Sequence, residues 1–303
     1  MPSSRWLSAV LASFLLAATA SAAGAQSGAP ERLEFDVKAL QSLPFETVEF
    51  PSLDTAGFLD PKPVPIKGLL LKAPGPAPGA VLAPACNGLI GEDGRVFAHY
   101  RRMAKFLNDM GMTVLLVDGF NPRGRREVCT QPSEKRSIDT EVRMKDSLGG
   151  LRYLRGRGDV RPDRVFMVTW GAAGSFQAMN AGSEEVAALG SGFAAAVLFY
   201  PECNRVDGAF APYAPIIAFG GDKDTWNPPG HCLALAGRRA AGSQPFEMHV
   251  YPDTYHGFDQ PRPPSMHMGA AVGPQMTGGN PESMQDAYRK TKAFLSGFLG
   301  SPG

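Results

Sequence analysis

Short apolar runs alternate with longer amphipathic segments from Glu46 almost to the end of the chain. Thr47–Phe50, Ile66–Leu71 and Ala80–Ala83 have the length and character of strands, and the Pro- and Asp-rich turn between the first two suits an antiparallel pair. From Phe97 to Met110 the residues Phe97, Tyr100, Met103, Ala104, Leu107 and Met110 recur at intervals of three and four, which predicts a helix. Met112–Val117 is a strong apolar run of the kind buried on both faces of a parallel sheet. Val142, Leu148, Leu151, Tyr153 and Leu154 mark another helix ending near Gly156. A strand at Val165–Trp170 follows, then the start of a helix over Gly174–Ala181. Further strands are predicted at Ala194–Tyr200, Pro215–Phe219 and Phe246–Tyr251, with a helix around Cys232–Arg239 between the last two. A final helix spans Pro281 to Leu299, with Ala287, Phe294, Leu295 and Leu299 inward. The Gly/Pro/Met-rich stretch 261–280 reads as a long loop. Strands and helices in alternation predict an α/β fold, a mostly parallel central sheet flanked by helices on both faces. It forms a single domain over residues 46–303, preceded by a surface arm at 26–45.

Residues 1–25 change the picture. A basic start (Arg5), an apolar run from Trp6 to Leu16 and a small-residue exit ending Ala23-Gly24-Ala25 have the three parts of a secretory signal peptide. The run is shorter than the roughly 20 residues of a membrane-spanning helix, and no later stretch is long and apolar enough either. The expected mature protein is exported, periplasmic or secreted, and has no membrane contact. Cleavage removes Arg5 from the 30 Lys and Arg, which leaves them level with the 29 Asp and Glu. That balance creates no field for nucleic acid or an anionic bilayer. With 44% hydrophobic residues there is ample material for a core. Nothing in the sequence sets an oligomeric state.

Four cysteines remain, Cys86, Cys129, Cys203 and Cys232. An even count in an exported chain favours disulfides over metal ligation, with three connectivities open. No C-x-x-C spacing is present, and neither a metal nor a cofactor is expected.

Functional groups of a parallel α/β sheet gather at the carboxyl ends of its strands. Three ends carry chemistry: Thr169-Trp170-Gly171-Ala172-Ala173-Gly174-Ser175, then Gly220-Gly221-Asp222-Lys223-Asp224, then Pro252-Asp253-Thr254-Tyr255-His256-Gly257-Phe258-Asp259. A glycine-rich strand–helix turn, then an acid, then a histidine is the chain order of α/β-hydrolases. Over roughly residues 60–300 the chain resembles the dienelactone hydrolase family, an α/β-hydrolase group. The pieces are Cys86-Asn87-Gly88, Val117-Asp118-Gly119-Phe120-Asn121-Pro122-Arg123-Gly124 with Cys129, Tyr200-Pro201-Glu202-Cys203, and Gly221-Asp222-Lys223-Asp224-Thr225-Trp226-Asn227-Pro228 leading to Cys232. Tyr251-Pro252 with Tyr255-His256-Gly257-Phe258-Asp259 completes them.

The resemblance implies an α/β-hydrolase fold and a small-molecule acyl substrate. It makes Asp224 the acid that orients an imidazole, Asp222 being the fallback, and His256 the general base. It also implies the pairs Cys86–Cys129 and Cys203–Cys232, and an oxyanion hole from backbone amides near Cys86 and Ala172. The departure is at the elbow, where the family expects G-x-S-x-G or its cysteine version. Alignment on Trp170 puts Gly171 at the nucleophile position; sliding by two residues puts Ala173 there. Neither supplies oxygen or sulfur, which closes the ordinary acyl-enzyme route. Ser175, one helical turn beyond Gly171, is a displaced candidate. The early loop also departs, with Pro84-Ala85 before Cys86 where the family often has His-Gly.

Arg123, Arg125 and Arg126 beside Asp118 could take an anion or simply pair with local acids. Met266-His267-Met268 with Met276 and Met284 could suit a soft metal, but its spacing follows no ligand pattern and better suits a flexible apolar lid. The readings are a hydrolase of ester- or lactone-type substrates, a catalytically inactive pseudo-hydrolase that binds a small molecule or a protein, and, remotely, a redox or metal-handling protein.

Overall fold

The computed structural model describes residues 32–132, 135–171, 177–206, 210–269 and 273–300. The signal peptide expected at 1–25 lies outside them, and every element belongs to the compact unit Glu34–Gly303.

Ten strands are described: β1 (Glu46–Ala56), β2 (Lys62–Leu71), β3 (Ala77–Ala83), β4 (Thr113–Asp118), β5 (Val160–Trp170), β6 (Ala196–Phe199), β7 (Ile216–Gly221), β8 (Phe246–Tyr251), β9 (Ser265–Gly269) and β10 (Gly273–Thr277). The described helices are α1 (Val37–Gln41), α2 (Ala98–Asp109), α3 (Thr140–Arg155), α4 (Glu184–Ala188), α5 (Pro229–Gly237) and α6 (Pro281–Leu299). Strands β1 to β8 form one sheet in the order β1-β2-β4-β3-β5-β6-β7-β8. The pairs β1–β2 and β2–β4 are antiparallel, and every pair from β4–β3 to β7–β8 is parallel. The first two strands pair as expected, with Phe50 opposite Ile66.

Side chains on successive strand residues point to opposite faces, and both faces are buried. Val81, Leu115, Val117, Val165 and Met167 join Leu148, Leu151 and Leu154 of α3 in one core cluster. On the other face Trp170 meets Tyr100 of α2 edge-on at 4.8 Å, and Tyr288 of α6 meets Phe199 at 6.2 Å and Phe106 at 4.9 Å. All six residues of β4 are buried, as its apolar run requires. In α6, Ala287 and Leu295 are buried, whereas Phe294 and Leu299 are only half-buried.

One expectation changes. Residues 261–280 are not a structureless loop: β9 and β10 form an antiparallel hairpin with Met266 opposite Met276 and His267 opposite Gln275. The described part of the arm packs on the domain. Asp36 caps α1, Leu40 is buried, and Phe35 meets Tyr288 edge-on at 5.7 Å.

The four cysteines form Cys86–Cys129 and Cys203–Cys232, with Cα separations of 4.9 and 5.0 Å.

Candidate active site

The acid lies just past the end of β7. Gly221 lets the chain turn against its neighbour, since a Cβ there would stand 1.9 Å from the Thr254 carbonyl oxygen. The Asp224 side chain is fully buried, and its Oδ1 accepts from the amides of Trp226 at 2.9 Å and Asn227 at 2.7 Å. Its Oδ2 lies 2.8 Å from His256 Nδ1. With Nδ1–H held by a carboxylate, Nε2 is left as the acceptor, the state a general base needs. Asp222, the fallback acid, instead accepts from the Thr254 amide at 3.2 Å and ties the two loops together. His256 forms an isolated parallel bridge with Thr277 at the base of the hairpin.

The histidine sits among rings. Tyr200, which follows β6, packs on it at 4.4 Å, and Trp226 stacks on it at 5.2 Å. Trp226 also stacks with His267 of the hairpin, at 5.7 Å. Burial pushes the His267 imidazole below its usual value, aided by the charges of Arg262 and His256. The hairpin is also tied to the acid loop by a Thr225–Gln275 side-chain hydrogen bond. Tyr200 has φ of +40°, a conformation costing a non-glycine residue about 1–3 kcal/mol.

Strand β5 ends at Trp170, and Gly171 follows with φ of +67°. That left-handed conformation is open to glycine without steric cost. A Cβ built on Gly171 would touch Ala85 Cβ and Asn227 Nδ2, each at 3.8 Å, so there is room for a side chain. The same contacts place Gly171 between the early loop and the acid turn. Gly171 N–H donates to Phe199 O at 3.0 Å, and its carbonyl accepts from Glu202 N–H at 2.6 Å. Ala172, Ala173 and Ser175 lie outside the described residues.

In the early loop the Tyr100 hydroxyl accepts from the Ala85 amide at 2.8 Å and donates to Asn87 Oδ1 at 3.0 Å. The Cys86 carbonyl accepts from the Val128 amide at 2.8 Å, next to the disulfide to Cys129.

The other candidates do not join this site. Arg123 makes two bonds to Asp146, at 2.9 and 3.0 Å, and one to Asp54 at 3.0 Å. Burial works against its charge, but these carboxylates outweigh that and raise its pKa. Arg126 pairs with Glu92 at 3.1 Å on an exposed surface. Met266 and Met268 project into solvent, 62% and 70% exposed. Among the described residues, no group of three or more His, Cys, Asp or Glu is placed to hold a metal.

Three residues here carry no role in the sequence reading: Tyr200, Trp226 and Asp259. The first follows a strand end and the second follows the acid, a placement that could have flagged them. Asp259 is fully buried and bonds Trp170 Nε1 at 2.8 Å and the Tyr200 hydroxyl at 3.0 Å.

The sequence matches the model of the dienelactone hydrolase family over residues 66–299. The chain belongs to the dienelactone hydrolase family. No curated protein matches it. Among solved structures it is similar to a thermophilic esterase of Thermogutta terrifontis in its propionate-bound form, with 17% identity and a TM-score of 0.57 over 86% of this chain and 98% of that one. It is also similar to a dienelactone hydrolase-like promiscuous phosphotriesterase from metagenomic libraries, at 15% identity and a TM-score of 0.57 over 84% and 99%. At these identities the likeness is one of fold.

Proposed function

We propose that this dienelactone hydrolase-family protein is an exported hydrolase of ester- or lactone-type substrates in which His256 activates water directly. The reading rests on the 2.8 Å contact between His256 Nδ1 and a fully buried Asp224 oxygen. Isolating a carboxylate is costly unless it is paired, and this one is spent on orienting an imidazole at a strand-end cleft. His256 Nε2 takes a proton from water as the water oxygen attacks the acyl carbon. Backbone amides near Cys86 and Ala172 hold the oxyanion, and the leaving alkoxide recovers the proton from the imidazolium. The esterase and phosphotriesterase neighbours support an acyl or related ester substrate. Export is supported by the signal-like first 25 residues and by two disulfides, which persist in oxidising compartments.

A second reading is favoured by Gly171, which occupies the elbow without an oxygen or sulfur: an inactive pseudo-hydrolase whose site binds a small molecule or a protein. Hydrolysis of a short-chain nitrophenyl ester by the mature protein separates the two. Turnover abolished by His256→Ala supports the hydrolase, and Ser175→Ala then tests a displaced nucleophile. Turnover only after Gly171→Ser supports the pseudo-hydrolase. N-terminal sequencing of protein recovered from outside the cytoplasm, starting at Gln26, tests export.

A further inference from the structure

Asp259 ends the Tyr255-His256-Gly257-Phe258-Asp259 run and has no solvent exposure. Both of its oxygens are occupied by donors from different strand ends. Oδ2 accepts from the Trp170 indole N–H at 2.8 Å, and Oδ1 accepts from the Tyr200 hydroxyl at 3.0 Å. Trp170 immediately precedes Gly171, while the Tyr200 ring packs on His256 at 4.4 Å. The Tyr200 carbonyl, in turn, accepts from Asn227 Nδ2 at 2.8 Å, and the Asn227 amide caps Asp224 Oδ1 at 2.7 Å. One carboxylate therefore reaches the elbow, the imidazole and the acid turn through single intermediaries.

The chemistry calls for a carboxylate. An indole N–H can only donate. Burial, with the neighbouring Asp259, pushes the Tyr200 hydroxyl well above its usual pKa, so it keeps its proton and donates it to Asp259. Two donors then converge on one side chain, and its two carboxyl oxygens take one each. Arg102 Nη1 lies close by, bonding the Asp259 carbonyl at 3.0 Å. A fully buried carboxyl needs partners, and both of its side-chain bonds lead to the site.

We propose that Asp259 is the positioning residue of this site, fixing the Trp170–Gly171 elbow and the Tyr200 ring against His256 through its two carboxylate bonds. The inference rests on the Asp224–His256 reading above and adds the device that aligns that pair with the elbow.

The test uses Asp259→Asn in the mature protein and in its Gly171→Ser form. Asparagine keeps the shape but can accept from only one of the two donors. The expected result is a folded protein in which the imidazole ¹⁵N resonances of His256 and the indole N–H of Trp170 both shift. In the Gly171→Ser form, kcat should fall about 10²-fold, with KM little changed, the effect of a misplacement near 1 Å. Unchanged His256 resonances and kcat alongside a lowered Tm would overturn the proposal and leave Asp259 a merely structural residue. The resonances are read without turnover, so an inactive Gly171→Ser form counts against the hydrolase scaffold and not against the positioning role. Where Asp259→Asn does not fold, Tyr200→Phe removes one of the two donors and keeps the ring. His256 resonances that shift in that variant support the clamp, and resonances that stay put overturn it.

Discussion

The indole of Trp226 stacks on the imidazole of His256, with ring centroids 5.2 Å apart and planes 23° from parallel. The same indole stacks with His267, so one side chain touches both the candidate base and the β9–β10 hairpin. Aromatic pairs contribute about 0.5–1.5 kcal/mol each beyond area burial, so Trp226→Leu should cost about 1–3 kcal/mol. Backbone amides of residues 265–277 should then exchange faster with solvent, which hydrogen-exchange mass spectrometry reads directly. A hairpin protected equally in both proteins would show that Trp226 does not anchor it.

Gly171→Ser is expected to move activity and stability in opposite directions. The φ of +67° is strained for any residue with a Cβ, at about 1–2 kcal/mol. The space itself is adequate, since the nearest atoms to a built Cβ lie at 3.8 Å. A serine there meets a base already oriented by Asp224, and ester hydrolysis should rise at least about 10²-fold, a fraction of what a lost nucleophile costs in working triads. Gly171→Ala carries the same strain with no oxygen, so it should lower Tm alike and gain no activity. Equal rates for the serine and alanine forms would mean the elbow does not face His256.

The candidate acid and base could be singled out because they lie just beyond strands whose apolar runs announce themselves. Both Asp224 and His256 follow such runs, and their chain order after a glycine-rich turn carries the resemblance. The disulfide pairs also came through the resemblance. Ring contacts such as Tyr200 on His256 were not legible, since residues 56 positions apart meet only when β6 and the loop after β8 are in place. The hairpin was hidden for another reason. Ser265–Gly269 and Gly273–Thr277 have few β-branched residues, and they are held by docking on Trp226 and Thr225 rather than by propensity. Likewise β1 runs on past Phe50 through Pro51, which an edge strand tolerates because its outer amides need no partner.

His99 should make the protein sensitive to mild acid. Its ring lies 3.9 Å from that of Tyr100 and 6.1 Å from Trp170, and burial lowers its pKa from 6.5 to about 4, with Asp259 opposing. Below pH 6.5 the unfolded chain binds a proton that the folded one refuses until about pH 4. This contribution to stability is therefore complete above the unfolded value and is lost as pH falls through the window, at up to about 1.4 kcal/mol per pH unit. His99→Gln should reduce the stability lost between pH 7 and pH 5 by about 2 kcal/mol, read from urea midpoints at the two pH values. Identical pH slopes in parent and variant would place the acid sensitivity elsewhere.

Arg123 should prove structural rather than anion-binding. Its guanidinium forks onto Asp146, whose other bond comes from the Ser52 hydroxyl at 2.6 Å, and burial raises the Asp146 pKa despite these partners. Removing the cation strands a buried carboxylate, which typically costs about 3–5 kcal/mol. Arg123→Met should therefore lower the denaturation midpoint sharply, and Arg123→Lys should recover only part because an ammonium cannot form the fork. A large loss of substrate affinity with stability intact would instead return Arg123 to the binding site.

The Cys203–Cys232 bridge should matter to the site as well as to stability. Cys203 lies three residues after Tyr200, and Cys232 sits in α5 just beyond the Asp224 turn, so the bond joins the two loops that flank His256. Its 29-residue separation corresponds to about 3–4 kcal/mol of loop-closure entropy taken from the unfolded chain. The Cys86–Cys129 bond, at a separation of 43, is worth a similar amount by the same relation. Cys203→Ala with Cys232→Ala and Cys86→Ala with Cys129→Ala should then show comparable losses in denaturant midpoint. They should differ at the imidazole: only the first pair releases the Tyr200 loop, so only it should shift the His256 ¹⁵N resonances. Equal shifts in both variants would mean that the bridges act through global stability alone.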